Sequence, residues 1–531
     1  MADQRAHPKP QEIESLLRQA RAAHGRGATL QAELLYAQVL QDAPEHAVAH
    51  HLIGVLKFQR GAAEEGLAHF DSALRARPRF AEAYNSRGNA LLGLGRVEEA
   101  LRAYESGLAV RRDDADLLAN RGAALQALGR HAEAVESYRR ALARRPQDAP
   151  LQTDLGISLR ALDRDEEALA CFERALRADP AYAEALTNRG NLLLARGQLD
   201  VALASHRQAV ALRPDNAQMQ LNLAVAELAS GDWESGWRSY AHRDLDREPS
   251  GARREFSAPR WQGAEPLEGR TLLAHAEQGF GDTLMFARYL PLLAARGARV
   301  VLEVQPRLKS LFAGIAGVVH LAARGEPLPA YDLHCALPDL PGAFGTRPEN
   351  VPPPLLLAPA PPLADKWRAR LAELPRPRLG IVWSGNPAYG KDRSRSISLE
   401  RLAAALPPAG VAAVSLQKDA SEEEVALLGR LGIRHTGPDQ QDFGDAAALV
   451  GEMDLVLSID SSVPHLAGSL GKPVWLLLAH APDWRWMRGR EDSVWYPGHR
   501  LYRAAQPGTQ GTDELLQRVG AELRTRFRAE K

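Results

Sequence analysis

The chain has 531 residues, too many for one core, and balances 66 Lys+Arg against 66 Asp+Glu with 45% hydrophobic residues. A formal charge of zero excludes a chain built mainly to coat nucleic acid, whose phosphates demand net basic surface. The two cysteines, Cys171 and Cys335, form neither a disulfide framework nor a metal-ligand spacing. The opening MADQRAHPKPQEIESLL lacks an apolar signal core, and no uncharged apolar run reaches the ~18 residues of a membrane span, so the expected location is a reducing cytoplasm.

After a short tail over 1–12, the chain repeats itself. Gly54, Gly88, Gly122, Gly156 and Gly190 recur every 34 residues, as do Pro44, Pro78, Pro146, Pro180 and Pro214, with Arg112 in the gap. Ala32, Ala100, Ala134, Ala168 and Ala202 hold a third fixed position, with Gly66 in the remaining register, and Tyr36, Phe70, Tyr104, Tyr138 and Phe172 hold a fourth. This pattern resembles the tetratricopeptide repeat, two antiparallel helices per unit. Small residues let helix A and helix B approach, the aromatic is expected to fill space against the next repeat, and proline ends helix B because it lacks an N–H and clashes with the preceding turn. Six repeats over 13–216 and a degenerate seventh over 217–245 predict an all-α superhelix. The sixth position of helix A reads Asn120, Asp154, Asn188 and Asn222. Asn is a middling helix former, and its recurrence has two readings: tolerance on an exposed face, or an amide ladder for the backbone of a polypeptide partner held in the concave groove.

The stretch 246–270 is charged, punctuated by Gly and Pro, and reads as a linker. Asp244-Leu-Asp246 at its start follows no strand and reads as solvated charge, so no metal site is expected. Strands are then predicted at Thr271–Ala274, Arg299–Val304, 378–384, 411–417, 453–459 and 473–478, alternating with helical stretches, and Pro/Gly-rich irregular sequence over 325–365 reads as a hinge. Alternation of this kind implies parallel sheets covered on both faces, with ligands bound beyond the carboxyl ends of the strands. The division expected is an N-terminal Rossmann-like half at 271–355 and a C-terminal one at 356–531. The former, about 85 residues, is short against ordinary domains of roughly 100–150, which predicts that the repeat array covers one face of its sheet.

The strand-end loops hold the candidate chemistry. Gly279-Phe-Gly281-Asp282 is either a tight turn with Asp282 capping a helix, or a cleft-mouth carboxylate serving as general base. SGNPAYGKDRSRSISL supplies Lys391, Arg393 and Arg395, either a solvated basic loop or a cradle for a diphosphate, with Gln417 and Lys418 beyond the next strand. Asp460-Ser461-Ser462-Val463-Pro464-His465 opens a helix whose N-terminal amides form a ready anion seat. The tail DWRWMRGREDSVWYP (483–497), rich in Trp and Arg, either stacks on a base or sugar or packs the domain seam, and Thr512–Phe527 reads as a closing amphipathic helix.

Together, GFGDTLMF, the GNP…DRSRS loop and DSSVPHLAGSLGKPVW resemble the glycosyltransferases that include the lipopolysaccharide heptosyltransferases, enzymes of two Rossmann domains (the GT-B architecture). That resemblance implies Asp282 as base. It also implies that Lys391, Arg393 or Arg395 binds the diphosphate of a nucleotide-diphospho-sugar co-substrate, and that Asp460, Ser461, Ser462, Val463 and His465 contact its sugar and nucleotide. Gly281, Gln417 and Lys418 lie at neighbouring strand ends and are expected to reach the same donor. With no metal site and no other cofactor expected, the reaction expected is inverting transfer without a metal. The repeat array suggests a polypeptide acceptor. The alternatives are a glycolipid or polysaccharide acceptor with the repeats as docking module, and a non-catalytic scaffold with a degenerate transferase half.

Overall fold

The computed structural model describes residues 10–243, 254–386, 392–407 and 410–528. The chain forms two compact units, residues 1–192 and 193–531. Among the described residues no helix is long and apolar enough to cross a membrane.

The first unit is all helix, beginning with Pro10–Gly25 and continuing in antiparallel pairs. The periodic positions explain one another. A Cβ on Gly54 would lie 2.6 Å from the Phe70 ring, on Gly88 2.3 Å from Tyr104, on Gly122 2.6 Å from Tyr138 and on Gly156 2.5 Å from Phe172. Each aromatic on helix B therefore packs on the glycine of helix A in its own repeat, which corrects the expectation that it fills space against the next one. The ring sits where a Cβ would be, and in the second repeat, where Gly54 faces Gly66, the helices also close to backbone contact. Pro44, Pro78, Pro146 and Pro180 each follow the end of a helix B. A second glycine series serves the A–B turns: Gly27, Gly61, Gly95 and Gly129 have φ of +72 to +82°, and Asp163 occupies the same place with φ 58°. These left-handed positions disfavour any residue with a Cβ.

The second unit opens with the last repeat helices, Leu199–Leu212, Ala217–Ser230 (α13) and Trp233–Tyr240 (α14). Its first sheet has strands Thr271–His275 (β1), Arg299–Val304 (β2), Val318–Ala323 (β3) and Leu333–Ala336 (β4), all parallel, in the order β3-β2-β1-β4. Leu228, Trp233, Trp237 and Tyr240 share one apolar core with Leu272 and Ala274 of β1 and Leu333 and Cys335 of β4, so repeat helices do complete this short half. Trp237 also donates its indole N–H to the Thr346 carbonyl at 3.0 Å. The described part of the expected linker is packed rather than loose. Arg260 bridges β4 at His334, Trp261 is fully buried, and Phe256 stacks on His334 at 3.9 Å. Apolar rings here need burial, and the edge of β4 needs a partner. The expected hinge also contains β4.

The second sheet has Arg378–Val382 (β5), Ala412–Ser415 (β6), Arg434–His435 (β7), Leu455–Ile459 (β8), Val474–Leu478 (β9) and His499–Arg503 (β10), in the order β10-β9-β8-β5-β6-β7. The strands pair in parallel. Strands β5, β8 and β9 are buried throughout, matching their unbroken apolar runs. The order reverses between β1 and β4 in one sheet and between β5 and β8 in the other, the places where such sheets leave a crevice. The closing helix runs Gly508–Arg528.

Candidate functional site

Two sequence motifs far apart in the chain meet at these crevices. After β8, Ser461 caps the helix Ser462–Ser469 (α23), its Oγ accepting the Val463 N–H at 3.3 Å. After β1, Gly279 begins the helix Phe280–Phe286 (α15). A Cβ on Gly281 would lie 2.9 Å from His465 Cδ2 and 3.6 Å from Ser462 Cα, so only glycine allows this approach of the two helices. His465 is buried, its Nδ1 3.2 Å from the Tyr496 hydroxyl and its ring stacked on Trp486 at 5.3 Å. Burial, with Arg485 secondary, holds its imidazole well below the usual range and hence neutral. His465 thus fixes the seam between α15 and α23.

Asp282 has both oxygens engaged. Its Oδ2 accepts the Gly279 N–H at 3.1 Å, and its Oδ1 pairs with Arg485. Arg485 also donates to Asp483 Oδ1 at 2.6 Å and lies 4.4 Å over Trp484, with 13% of its side chain exposed. Asp460, partly buried, is pushed up to about 6 by burial first and by Asp483 second, while Arg485, a hydrogen bond to Trp486, and Arg395 oppose the shift. One guanidinium is therefore held by two carboxylates, Asp282 and Asp483, and acts through space on a third, Asp460. Arg485 was not legible as a site residue, because its role exists only through contacts with segments remote in sequence. Of the two readings of the tail around it, the packing one fits its tryptophans: Trp484, Trp486 and Trp495 are buried.

Across the crevice, the loop after β5 is organised by Asp392. Its carboxylate accepts from Arg395 Nε at 3.0 Å and from Ser396 Oγ at 2.8 Å, and Ser396 Oγ accepts the Gly385 N–H at 3.0 Å. A Cβ on Gly385 would meet Asp392 Oδ1 at 2.1 Å. Arg395 is thereby held beside Asp392, near enough to act electrostatically on Asp460. Lys391 and the Arg393 side chain lie outside the described residues, as does the Asp244–Asp246 charge run. Gln417 is buried, and its Oε1 accepts the Ser384 N–H at 3.4 Å. Lys418 reaches the Gln441 carbonyl at 3.2 Å instead. Among the described residues no group of His, Cys, Asp and Glu is arranged to hold a metal ion.

The repeat positions Asn120, Asp154 and Asn188 are half-buried in the first unit, and Asn222 is half-buried in the second. Asn120 Nδ2 donates to Asn85 Oδ1 at 2.8 Å, linking neighbouring repeats, and Asn188 Nδ2 donates to the Glu184 carbonyl at 2.9 Å. Asn222 Oδ1 accepts from Gln218 at 3.1 Å. Asp154 is pushed up to about 6, by burial first and Asp148 second.

Comparison with known proteins places the helical part. Tetratricopeptide-repeat families match residues 88–129, 113–181 and 187–236. Protein FlbA of Caulobacter vibrioides is 30% identical over 332 residues, 58% of this chain and 55% of FlbA, so the chain spans about half the length of that curated relative. Among solved structures, YrrB, described as a tetratricopeptide-repeat protein with an unusual peptide-binding site, is 24% identical, with TM-score 0.32 over 35% of this chain and 95% of its own. A tetratricopeptide repeat protein from Parabacteroides merdae is 18% identical, with TM-score 0.38 over 44% of this chain and 91% of its own. PilW, a type IV pilus biogenesis factor, is 20% identical, with TM-score 0.37 over 40% of this chain and 98% of its own. By its 34-residue period, its helix pairs and these family matches, the N-terminal array of this chain is made of tetratricopeptide repeats.

Proposed function

We propose that the second unit is a GT-B-type glycosyltransferase that moves a sugar from a nucleotide-diphospho-sugar to an acceptor hydroxyl, and that the repeats hold a polypeptide carrying that hydroxyl. The observation that carries this reading is the meeting of Gly281-Asp282 with Asp460–His465 at the carboxyl ends of β1 and β8. In this reading the diphosphate lies between the β5 loop and the start of α23, where amides and guanidiniums face developing negative charge. Asp282 takes the acceptor proton as the hydroxyl oxygen attacks the anomeric carbon from the face opposite the diphosphate. The bond from that carbon to the diphosphate oxygen breaks, and its electron pair leaves with the diphosphate. Arg395 and Arg485 are the cations on hand for that charge, in place of a metal ion. Incubating the full chain with nucleotide-sugars and following release of nucleoside diphosphate tests the reading. Turnover with one donor, lost in Asp282→Asn, is the expected result, and no turnover with any donor counts against it.

The second reading is a non-catalytic scaffold whose partners dock on the repeats. The observation favouring it is that both Asp282 oxygens are already engaged. Selective binding of a nucleoside diphosphate without turnover, together with capture of a partner by the repeats, would separate it from the first.

A further inference from the structure

Arg485 is the charged group that ties the two motifs together, and no motif in the sequence accounts for it. Its guanidinium is held by Asp282 from the β1 side and by Asp483 from its own segment, over the Trp484 ring. Asp460, the residue before the α23 cap, lies within its electrostatic reach, and Gly281, next to Asp282, touches Ser462 and His465 of α23. The cation closest to Asp282 thus stands beside the seat assigned to the diphosphate.

We propose that Arg485 is a donor-binding residue that changes partner: it pairs with Asp282 as seen here and turns to the diphosphate when the donor enters, freeing the Asp282 carboxylate for the acceptor proton. This inference rests on the glycosyltransferase reading and adds a partner exchange to it. A diphosphate offers a guanidinium more oxygen acceptors and more charge than one carboxylate, and Arg matches such oxygens bidentately. Asp282 does not lose its place in the exchange, because the Gly279 N–H still holds Oδ2. The pair is then an internal competitor of the donor, and the apparent affinity for a diphosphate is lowered by the fraction of molecules in which Arg485 is taken.

The consequence is counterintuitive. Removing the charge of the candidate base should tighten diphosphate binding. Calorimetric titration of the full-length chain with inorganic pyrophosphate and with each common nucleoside diphosphate tests it. Asp282→Asn, which keeps an oxygen for the Gly279 N–H, is expected to bind about 10-fold more tightly than wild type or better. Arg485→Gln is expected to bind at least about 10-fold more weakly, with Arg485→Lys between. Asp282→Ser carries the same expectation as Asp282→Asn should the latter fail to fold, judged by circular dichroism. Binding by Asp282→Asn alone would be the exchange in its strongest form. Wild-type binding that Asp282→Asn leaves unchanged or weakens overturns the exchange and spares the glycosyltransferase reading. No binding of any probe to any form overturns both.

Discussion

Replacing Gly281 by alanine tests whether the two motifs meet as described. The new Cβ would lie 2.9 Å from His465 Cδ2, closer than van der Waals contact allows. His465 has no easy retreat, since Trp486 stacks on one face of its ring, Tyr496 holds Nδ1, and Gly468 one turn on in α23 is itself pressed by Tyr496. The methyl must therefore push α15 off α23, an overpacking that costs about 1–3 kcal/mol. For a unit of this size that corresponds to a fall in Tm of roughly 1–2 °C per kcal/mol. Gly279→Ala is the control: its Cβ would meet only Asp282 Oδ2, at 3.4 Å, and its φ of −71° suits any residue. Thermal unfolding followed by tryptophan fluorescence reads the region directly, because Trp484, Trp486 and Trp495 line the same seam. A double-mutant cycle sharpens the test. His465→Ala removes the obstructing ring, so in that background Gly281→Ala should cost at least about 1 kcal/mol less than in wild type. Equal cost in both backgrounds, or no cost in wild type, would refute the packing of α15 on α23.

Other outcomes follow from single residues. Asp163→Gly is expected to stabilise the first unit by about 0.5–1 kcal/mol in urea unfolding, since it is the non-glycine residue at a left-handed turn that Gly27, Gly61, Gly95 and Gly129 occupy elsewhere. Gly88→Ala should destabilise the same unit by about 1–3 kcal/mol, because its Cβ would fall 2.3 Å from the Tyr104 ring. Asp460 is raised from 3.8 to about 6, so its folded form binds the proton more tightly than the unfolded chain. The stability it contributes is present below pH 4 and is lost as pH rises toward 6. Asp460→Asn should therefore stabilise the protein at pH 8 by about 1–3 kcal/mol relative to wild type, and flatten the pH 4–6 limb of the stability curve. Replacing Asn120, Asn188 and Asn222 by alanine together should weaken capture of a polypeptide partner at least several-fold while leaving nucleoside diphosphate binding intact; equal loss of both would remove the ladder role.

The repeats were legible because each fixed position answers one local demand: a glycine under a ring, a proline after a helix, an alanine between helices. The turn glycines form a second period that is equally plain once their φ is known, and Asp163 in the gap marks the one repeat that breaks it. Strands β1, β2, β5, β8 and β9 were legible as apolar runs because they are buried on both faces. Strand β4, four residues amid prolines and glycines, and β10, reading HRLYR, were not: both lie where few apolar residues mark a strand. In the site, Gly281, Asp282 and Asp460–His465 announced themselves as strand-end motifs. Their mutual contact did not, nor did the reach of Lys418 to Gln441, because both depend on how distant segments pack.

In the proposed function, the Gly281-Asp282 and Asp460–His465 segments form one seat for a nucleotide diphosphate. A thermal-shift titration of the full-length chain with nucleoside diphosphates, run beside Ser462→Arg, measures it most directly. A selective ligand at 100 times its Kd should add about 2.7 kcal/mol of stability, seen as a rise in Tm with one base and not the others, and the arginine side chain at the mouth of α23 should abolish that rise. Equal shifts in wild type and Ser462→Arg, or no shift with any nucleoside diphosphate at millimolar concentration, would contradict it.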